Sequence, residues 1–133
     1  MYNQKILDIF KNPANAGGLH GANGIGKAIS DDQKEVVKLY IKIDENQFIE
    51  EARFKTMGGV ISIVASSVLT ELITGKSLEE LDLVTANDIL EVLGEVEESK
   101  LYNVNLVIEA LNLAIVDYYK KKEKEEKENK KEN

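Results

Sequence analysis

The sequence ARFKTMGG, residues 52–59, alternates side chains of opposite character and then ends in two glycines. The alternation predicts a β-strand and the glycines predict a tight turn. The apolar segment VISIVASSVLTELIT follows at residues 60–74 and predicts a buried helix that Gly75 ends. A strand that leads through a turn into a helix often presents one reactive side chain. Here the turn holds Gly58 and Gly59, which have none.

Further segments predict structure before this strand. A period of two from Lys34 to Ile43 predicts another strand, and residues 44–47 predict the turn that joins the two as an antiparallel hairpin. We expect the later strand to span Phe48 to Thr56. Its side chains Phe48, Ala52 and Phe54 should share one side. Glycine-rich residues 14–26 predict turns or an irregular edge strand, and residues 2–11 predict a short helix that Asn12-Pro13 ends.

The remaining segments predict helices. SLEE at residues 77–80 has the spacing of a capping box, and TANDILEVLG at 85–94 predicts a helix that Gly94 ends. The last predicted helix runs from Leu101 to about Lys124, and its expected buried residues include Leu106, Leu113 and Ile115. This order predicts an α+β fold: an N-terminal helix, a small antiparallel sheet, and several C-terminal helices packed on one face.

Composition narrows the classes of function. We expect one domain at residues 1–120 and a charged Lys/Glu tail at 121–133, where the helix end frays. The chain of 133 residues has a net charge of −7, and residues 120–133 contribute +2, which leaves −9 for residues 1–119. An acidic body without basic clusters argues against nucleic acid. No apolar stretch predicts a signal peptide or a membrane span, so we expect a cytoplasmic protein.

No catalytic group of residues is found. GANGIGK at residues 21–27 matches a phosphate-binding loop, but Ala28 lacks the Mg²⁺-binding hydroxyl, and a strand rather than a helix follows. The only histidine, His20, falls in a predicted exposed loop, and Ser66 and Ser67 fall in the predicted buried helix. The chain has no cysteine, which excludes thiol nucleophiles and thiolate metal sites. The sequence therefore does not predict an enzyme.

Several motifs occur together in a recognisable order. The segments NPANAG, KLYIKID, ARFKTMGG, ASSVLTELITGKSLEEL and AIVDYY resemble the NifU/IscU-type iron–sulfur cluster assembly scaffold family. The likeness spans residues 2 to about 120, and the chain looks like a cysteine-less variant. The resemblance implies an N-terminal helix, a three-stranded antiparallel sheet, and helices over one face.

The resemblance also implies where the family's cluster site falls. In the family, three cysteines and an aspartate converge at one end of the sheet, and the third cysteine follows a histidine. The three cysteine positions correspond to Gln33, Gly59 and Asn103, the histidine position to Tyr102, and the aspartate position to Glu35. Clusters are held mainly by thiolates, whereas two amides and a glycine cannot replace them. We therefore expect no bound cofactor, neither an iron–sulfur cluster nor iron or zinc.

The resemblance implies a fold retained for another role. We expect a non-ligating adaptor or regulator that binds assembly partners, such as a cysteine desulfurase. One alternative is a scaffold or iron-binding protein that acts in trans with a partner's thiolates. Another is a small-ligand or anion pocket lined by Gln33, Glu35, Tyr102 and Asn103. The family's chaperone-recruiting motif corresponds to residues 96–100, which keep only its lysine. The resemblance therefore does not support chaperone binding by this chain.

Overall fold

In the computed structural model, which describes residues 2–132, a short helix precedes three antiparallel strands, and the other helices follow them. The elements are α1 (Gln4–Lys11), β1 (Gly24–Ile29), β2 (Val36–Ile43), β3 (Ile49–Met57), α2 (Val60–Ile73), α3 (Leu78–Leu81), α4 (Ala86–Leu93), a 3₁₀ turn (Glu98–Lys100) and α5 (Leu101–Glu132). The strands are ordered β1-β2-β3. The predicted α+β architecture is confirmed, including the third strand that the family resemblance implied.

The core lies between the sheet and two helices. On β2 the apolar side chains of the alternating pattern are all buried, and they are Val37, Leu39, Ile41 and Ile43. Helix α5 packs across β1 and β2, while α2 packs on β3 and against α5. Burying these apolar side chains supplies the main stabilisation of the fold. One face of the sheet is therefore covered by helices.

The glycines of β1 are explained by the close approach of α5. A Cβ atom on Gly24 would lie 2.7 Å from the carbonyl oxygen of Ala114, and one on Gly26 would collide with the backbone of Ala110 and Ala114. The prediction of turns or an irregular edge strand for residues 14–26 is confirmed in part, because residues 14–23 form turns and irregular backbone and Gly24–Ile29 lies at the edge of the sheet. The strand itself is regular, however, and is paired along its length with β2. The glycines serve helix packing, and GANGIGK is not a phosphate-binding loop between a strand and a helix.

The expected position of Phe48 is wrong. Phe48 is 44% exposed, whereas Ile49 is buried. The register shifts at the start of β3, where Lys42 pairs with Glu51 but Ile43 pairs with Ile49. This irregularity accommodates one extra residue on β3, as a β-bulge does, and it moves Ile49 onto the same face as Ala52 and Phe54.

Helix α5 differs from its prediction in two respects. Leu113 is 40% exposed rather than buried, because the buried stripe of α5 passes through Val107, Ala110, Leu111, Ala114 and Tyr118 and leaves position 113 on another side. The helix also continues to Glu132 rather than ending near Lys124. The division into a 1–120 domain and a 121–133 tail stays a prediction.

Other local expectations are met. Ser77 and Glu80 form the predicted capping box at α3. Ser66 and Ser67 are fully buried in α2, and the Ser67 hydroxyl is hydrogen-bonded to the backbone of Ala14. Between residues 2 and 132, no helix combines the length and apolar character required to cross a bilayer.

Candidate functional site

A tight turn between β1 and β2 positions the carboxylate that dominates the site. The backbone N–H of Glu35 donates to the hydroxyl of Ser30 at 3.0 Å, and Ser30 N–H donates to the Glu35 carbonyl at 2.9 Å. Gln33 has a φ of +62°. Asp32 accepts from the Ser30 hydroxyl and the Lys34 N–H, and these hydrogen bonds lower the pKa of Asp32. The turn thus orients Glu35 towards the start of α2.

The Glu35 side chain caps that helix from a distant part of the chain. Its carboxylate accepts from the backbone N–H of Gly59 at 3.0 and 3.1 Å and from the Ser62 hydroxyl at 2.9 Å. Gly59 is the N-cap of α2 and has no side chain with which to cap it. In a capping box the residue at position 62 would supply the carboxylate. Here Ser62 occupies that position, and Glu35 supplies the negative charge at the positive end of the helix.

Asn103 extends the hydrogen-bonded chain to α5. Its Nδ2 donates to the Ser62 hydroxyl at 2.9 Å, and both side chains are buried. The Oδ1 atom of Asn103 is buried without a hydrogen-bond partner among the described residues. The series Asn103–Ser62–Glu35–Gly59 joins α5, α2 and the start of β2 at one end of the sheet. We call this series the Glu35 network.

The structure brings together three of the five predicted positions. Glu35 contacts Gly59 directly and reaches Asn103 through Ser62. Gln33 is exposed in its turn, and Tyr102 is 46% exposed. Within the described residues, no side-chain hydrogen bond links these two to the Glu35 network. Tyr102 instead lines a surface groove of about 190 Å³ with six other residues: Ile29, Ser30, Asp31, Asn105, Leu106 and Glu109.

Sequence reasoning missed Ser62. It stands in a segment that is apolar almost all round, and this pattern indicates only a buried helix. A signal was available, since position 62 lies three residues after the N-cap glycine and is where a capping side chain is expected.

A side chain added at Gly58 would meet the Glu35 carboxylate differently from one added at Gly59. Gly58 has a φ of +145°, and any Cβ there would collide with Glu35 Oε2. Gly59 has a φ of −87°, and a Cβ there would lie 3.4 Å from Glu35 Oε1. A side chain at position 59 would therefore begin beside the Glu35 carboxylate.

The polar groups of the site do not form a metal-binding set. In the part of the chain that the structure describes, no group of three or more His, Asp or Glu side chains is placed to hold a metal ion. The Glu35 network offers one carboxylate, which is already engaged in hydrogen bonds, and one free amide oxygen. These donors do not fit an iron–sulfur cluster, which thiolates hold.

The N-terminal helix, the three-stranded antiparallel sheet and the helices over one of its faces match the architecture that the family resemblance implied. The family model described as the NifU-like N terminal domain matches residues 1–125. The chain therefore belongs to the NifU/IscU family of iron–sulfur cluster assembly scaffolds, as the sequence motifs predicted.

Individual relatives agree with this assignment. The chain is 41% identical over 121 residues to the iron–sulfur cluster assembly scaffold protein IscU of Aquifex aeolicus, covering 90% of this chain and 77% of that protein. It is 37% identical over 127 residues to IscU 1 of Archaeoglobus fulgidus, with 96% and 82% covered. The crystal structure of a NifU-like N-terminal protein from Brucella abortus superposes with a TM-score of 0.71 at 17% identity, covering 90% and 94%. That structure supports the fold alone.

Proposed function

We propose that this chain is a non-ligating member of its family that acts as an adaptor or regulator of iron–sulfur cluster assembly in the cytoplasm. The observation that carries the proposal is the engagement of Glu35. Its carboxylate is hydrogen-bonded to Gly59 and Ser62 beside the position that the family resemblance assigns to a cysteine. With no thiol in the chain, the carboxylate at this end of the molecule is hydrogen-bonded within the chain rather than free to bind a metal.

Retention of the framework supports a binding role. The chain keeps the family's sheet, helices and turn at 37–41% identity to named scaffold proteins, while the thiols are absent. A chain that keeps the family's fold but lacks the cluster-binding cysteines can still bind a protein partner. We propose a cysteine desulfurase as the partner, because sulfur must reach the scaffold from a donor protein. The role requires no catalysis by this chain.

Two assays test the proposal. Purified protein is incubated anaerobically with iron and sulfide, and it should remain colourless and free of iron. It is then titrated into a cysteine desulfurase by isothermal calorimetry, and the sulfide delivered to a cysteine-containing IscU relative is measured. Binding together with altered delivery is expected. A cluster absorption band on this chain alone, or the absence of binding to the desulfurase, would contradict the proposal.

A matched pair of variants locates the contact. Tyr102 is 46% exposed beside the Glu35 network, and Tyr119 is 54% exposed towards the other end of α5. Tyr102→Ser should weaken desulfurase binding, and Tyr119→Ser should leave it unchanged. Equal effects of the two changes would mean that the partner does not dock at this end of the sheet.

The two alternatives gain less support from the geometry. A scaffold completed by a partner's thiolates would require Glu35 to leave three hydrogen bonds. A ligand pocket among Gln33, Glu35, Tyr102 and Asn103 would require the Glu35 carboxylate to give up its hydrogen bonds, and of these four residues only Tyr102 lines the groove of about 190 Å³.

A further inference from the structure

On the sheet face that the helices leave open, paired residues form rows across the three strands, and two adjacent rows differ sharply in character. Lys27 pairs with Lys38, and Lys38 pairs with Lys55, so three lysines cross the three strands in one line. In the adjacent row the paired residues are Ile29, Val36 and Met57. We call these six residues the apolar–basic face.

Repulsion within the lysine row destabilises the fold. Like charges directly opposite each other on neighbouring strands are destabilising. Between residues 2 and 132, no ion pair joins any of the three ammonium groups to a carboxylate, although Lys38 Nζ lies 5.2 Å from the centre of the Tyr40 ring. Other cations on these strands are paired, as Arg53 is with Glu51 at 3.0 Å. In a chain of net charge −7, folding alone does not explain three unpaired lysines in a line.

The apolar row is exposed and leads directly to the Glu35 network. Met57 is 66% exposed and Ile29 is 47% exposed. Val36 follows Glu35 in the chain, and Met57 precedes Gly58. Exposed apolar side chains bordered by charged ones are typical of protein interfaces.

We infer that the apolar–basic face is the docking surface for an acidic protein partner that carries an apolar anchor. Its carboxylates would neutralise the lysine row and remove the repulsion within it, while its anchor would cover Ile29 and Met57. The inference deepens the proposed adaptor role and rests on it, because it states the chemistry that a partner must present beside the Glu35 network.

The charge distribution favours a compact acidic protein over a nucleic acid or a membrane. Residues 1–119 carry −9 overall, and residues 71–98 alone carry −8. The net charge of −9 over residues 1–119 opposes the approach of an extended polyanion or an anionic bilayer, because either would interact with the whole molecule. A protein surface of limited area can match the lysine row alone.

Binding to a defined probe tests the inference. The probe is a fluorescein-labelled peptide of glutamate and leucine, and its anisotropy is followed as protein is added. The triple variant Lys27→Gln, Lys38→Gln, Lys55→Gln should bind about tenfold more weakly, because each exposed ion pair contributes modestly. The control variant Lys120→Gln, Lys122→Gln, Lys124→Gln makes the same charge change in the tail and should bind like the parent. Raised salt should weaken the parent more than the first variant.

A second pair of variants tests the apolar row. Met57→Ser should weaken binding several-fold, whereas Leu83→Ser, at a side chain 77% exposed near α3, should not. Thermal melts establish that all variants remain folded. Equal affinity of the two lysine variants would overturn the inference. So would tighter binding to duplex DNA or to phosphatidylglycerol vesicles than to the peptide.

The same variants separate this inference from the proposed function. If the lysine row binds the acidic peptide but no desulfurase binds the chain, the face is supported and the desulfurase role fails. If a desulfurase binds both triple variants equally, the adaptor role is supported and the assignment of this face fails.

Discussion

The Glu35 carboxylate accepts the backbone N–H of Gly59 through both oxygens, at 3.0 and 3.1 Å, although the residues lie 24 positions apart. Gly59 is the N-cap of α2, so this contact attaches the β1–β2 turn to the N-terminus of a buried helix. Anionic groups are stabilising at that end of a helix. The contact therefore holds the site together, and it also fills the space in which a ligand at position 59 would act.

The first prediction concerns the charge at this contact. Glu35→Gln should lower the free energy of unfolding by about 2 kcal/mol, because a charge-assisted hydrogen bond is lost and an amide NH₂ can face the N–H of Gly59. Urea denaturation measures the change. Glu45→Gln, at an exposed turn position, is the control and should stay within about 0.5 kcal/mol of the parent. Similar values for the two variants would show that Glu35 does not stabilise the helix.

The second prediction separates the two glycines. Gly58→Ala should lower the free energy of unfolding by at least about 2 kcal/mol, since it combines a positive φ with a collision at Glu35. Gly59→Ala should cost no more than about 1 kcal/mol, because its φ of −87° suits any residue. Thermal or urea denaturation of both proteins provides the comparison. In a Glu35→Ala background, Gly58→Ala should lower the free energy of unfolding by a smaller amount, because only the backbone strain remains.

The third prediction restores thiols at the positions that the family resemblance assigns. The variant Gln33→Cys, Gly59→Cys, Asn103→Cys should gain an iron–sulfur absorption band on anaerobic reconstitution, whereas the parent should not. Adding Glu35→Asp should increase the iron bound per chain, because the shorter carboxylate withdraws from position 59. Iron and sulfide analysis measures the gain. If neither variant binds iron, the assignment of these positions is wrong.

The strands and helices could be predicted because their apolar periods are strong. Val37, Leu39, Ile41 and Ile43 recur every second residue, and all are buried. The failures have local physical causes. A β-bulge reverses the expected faces of Phe48 and its neighbour. In the sequence it shows only as two consecutive glutamates, Glu50 and Glu51, which interrupt the alternation of apolar residues.

The site could be predicted only in part. Motif spacing led to Glu35, Gly59 and Asn103, which the Glu35 network connects. The hydrogen bond that fills the space depends on Ser62 and on the length of a glutamate side chain. Neither is visible in spacing, since contacts between residues 24 or more positions apart are decided by packing of the whole chain.

The fourth prediction concerns repulsion in the lysine row. Lys27→Glu should raise the free energy of unfolding by about 0.5 kcal/mol, because it replaces a like-charged cross-strand pair with an opposite one at Lys38. Urea denaturation at low salt measures the gain. Lys27→Gln should give a smaller gain, and raised salt should diminish both. Destabilisation by Lys27→Glu would show that the lysines do not repel each other.

The fifth prediction uses the carboxylate that ties α5 to the edge strand. Asp117 accepts the Ile25 N–H at 2.8 Å and the Lys121 ammonium at 2.8 Å. Burial acts to raise the pKa of Asp117, but the hydrogen bonds from Lys121 and Ile25 outweigh it, and the pKa lies below the usual value for an aspartate. A lowered pKa in the folded state gives stability that is present above the unfolded pKa and lost as the pH falls through the folded one.

Asp117→Asn keeps an acceptor for Ile25 but removes the charge, so it should cost less than about 1 kcal/mol at neutral pH. This deficit relative to the parent should shrink as the pH is lowered through the acid range and disappear once Asp117 is protonated. Urea denaturation across that range measures it. Asp31→Asn, at an exposed side chain, should show no comparable deficit. A deficit for Asp117→Asn that does not vary with pH would mean that the charge of Asp117 contributes nothing and that only its shape matters to the contact between α5 and β1.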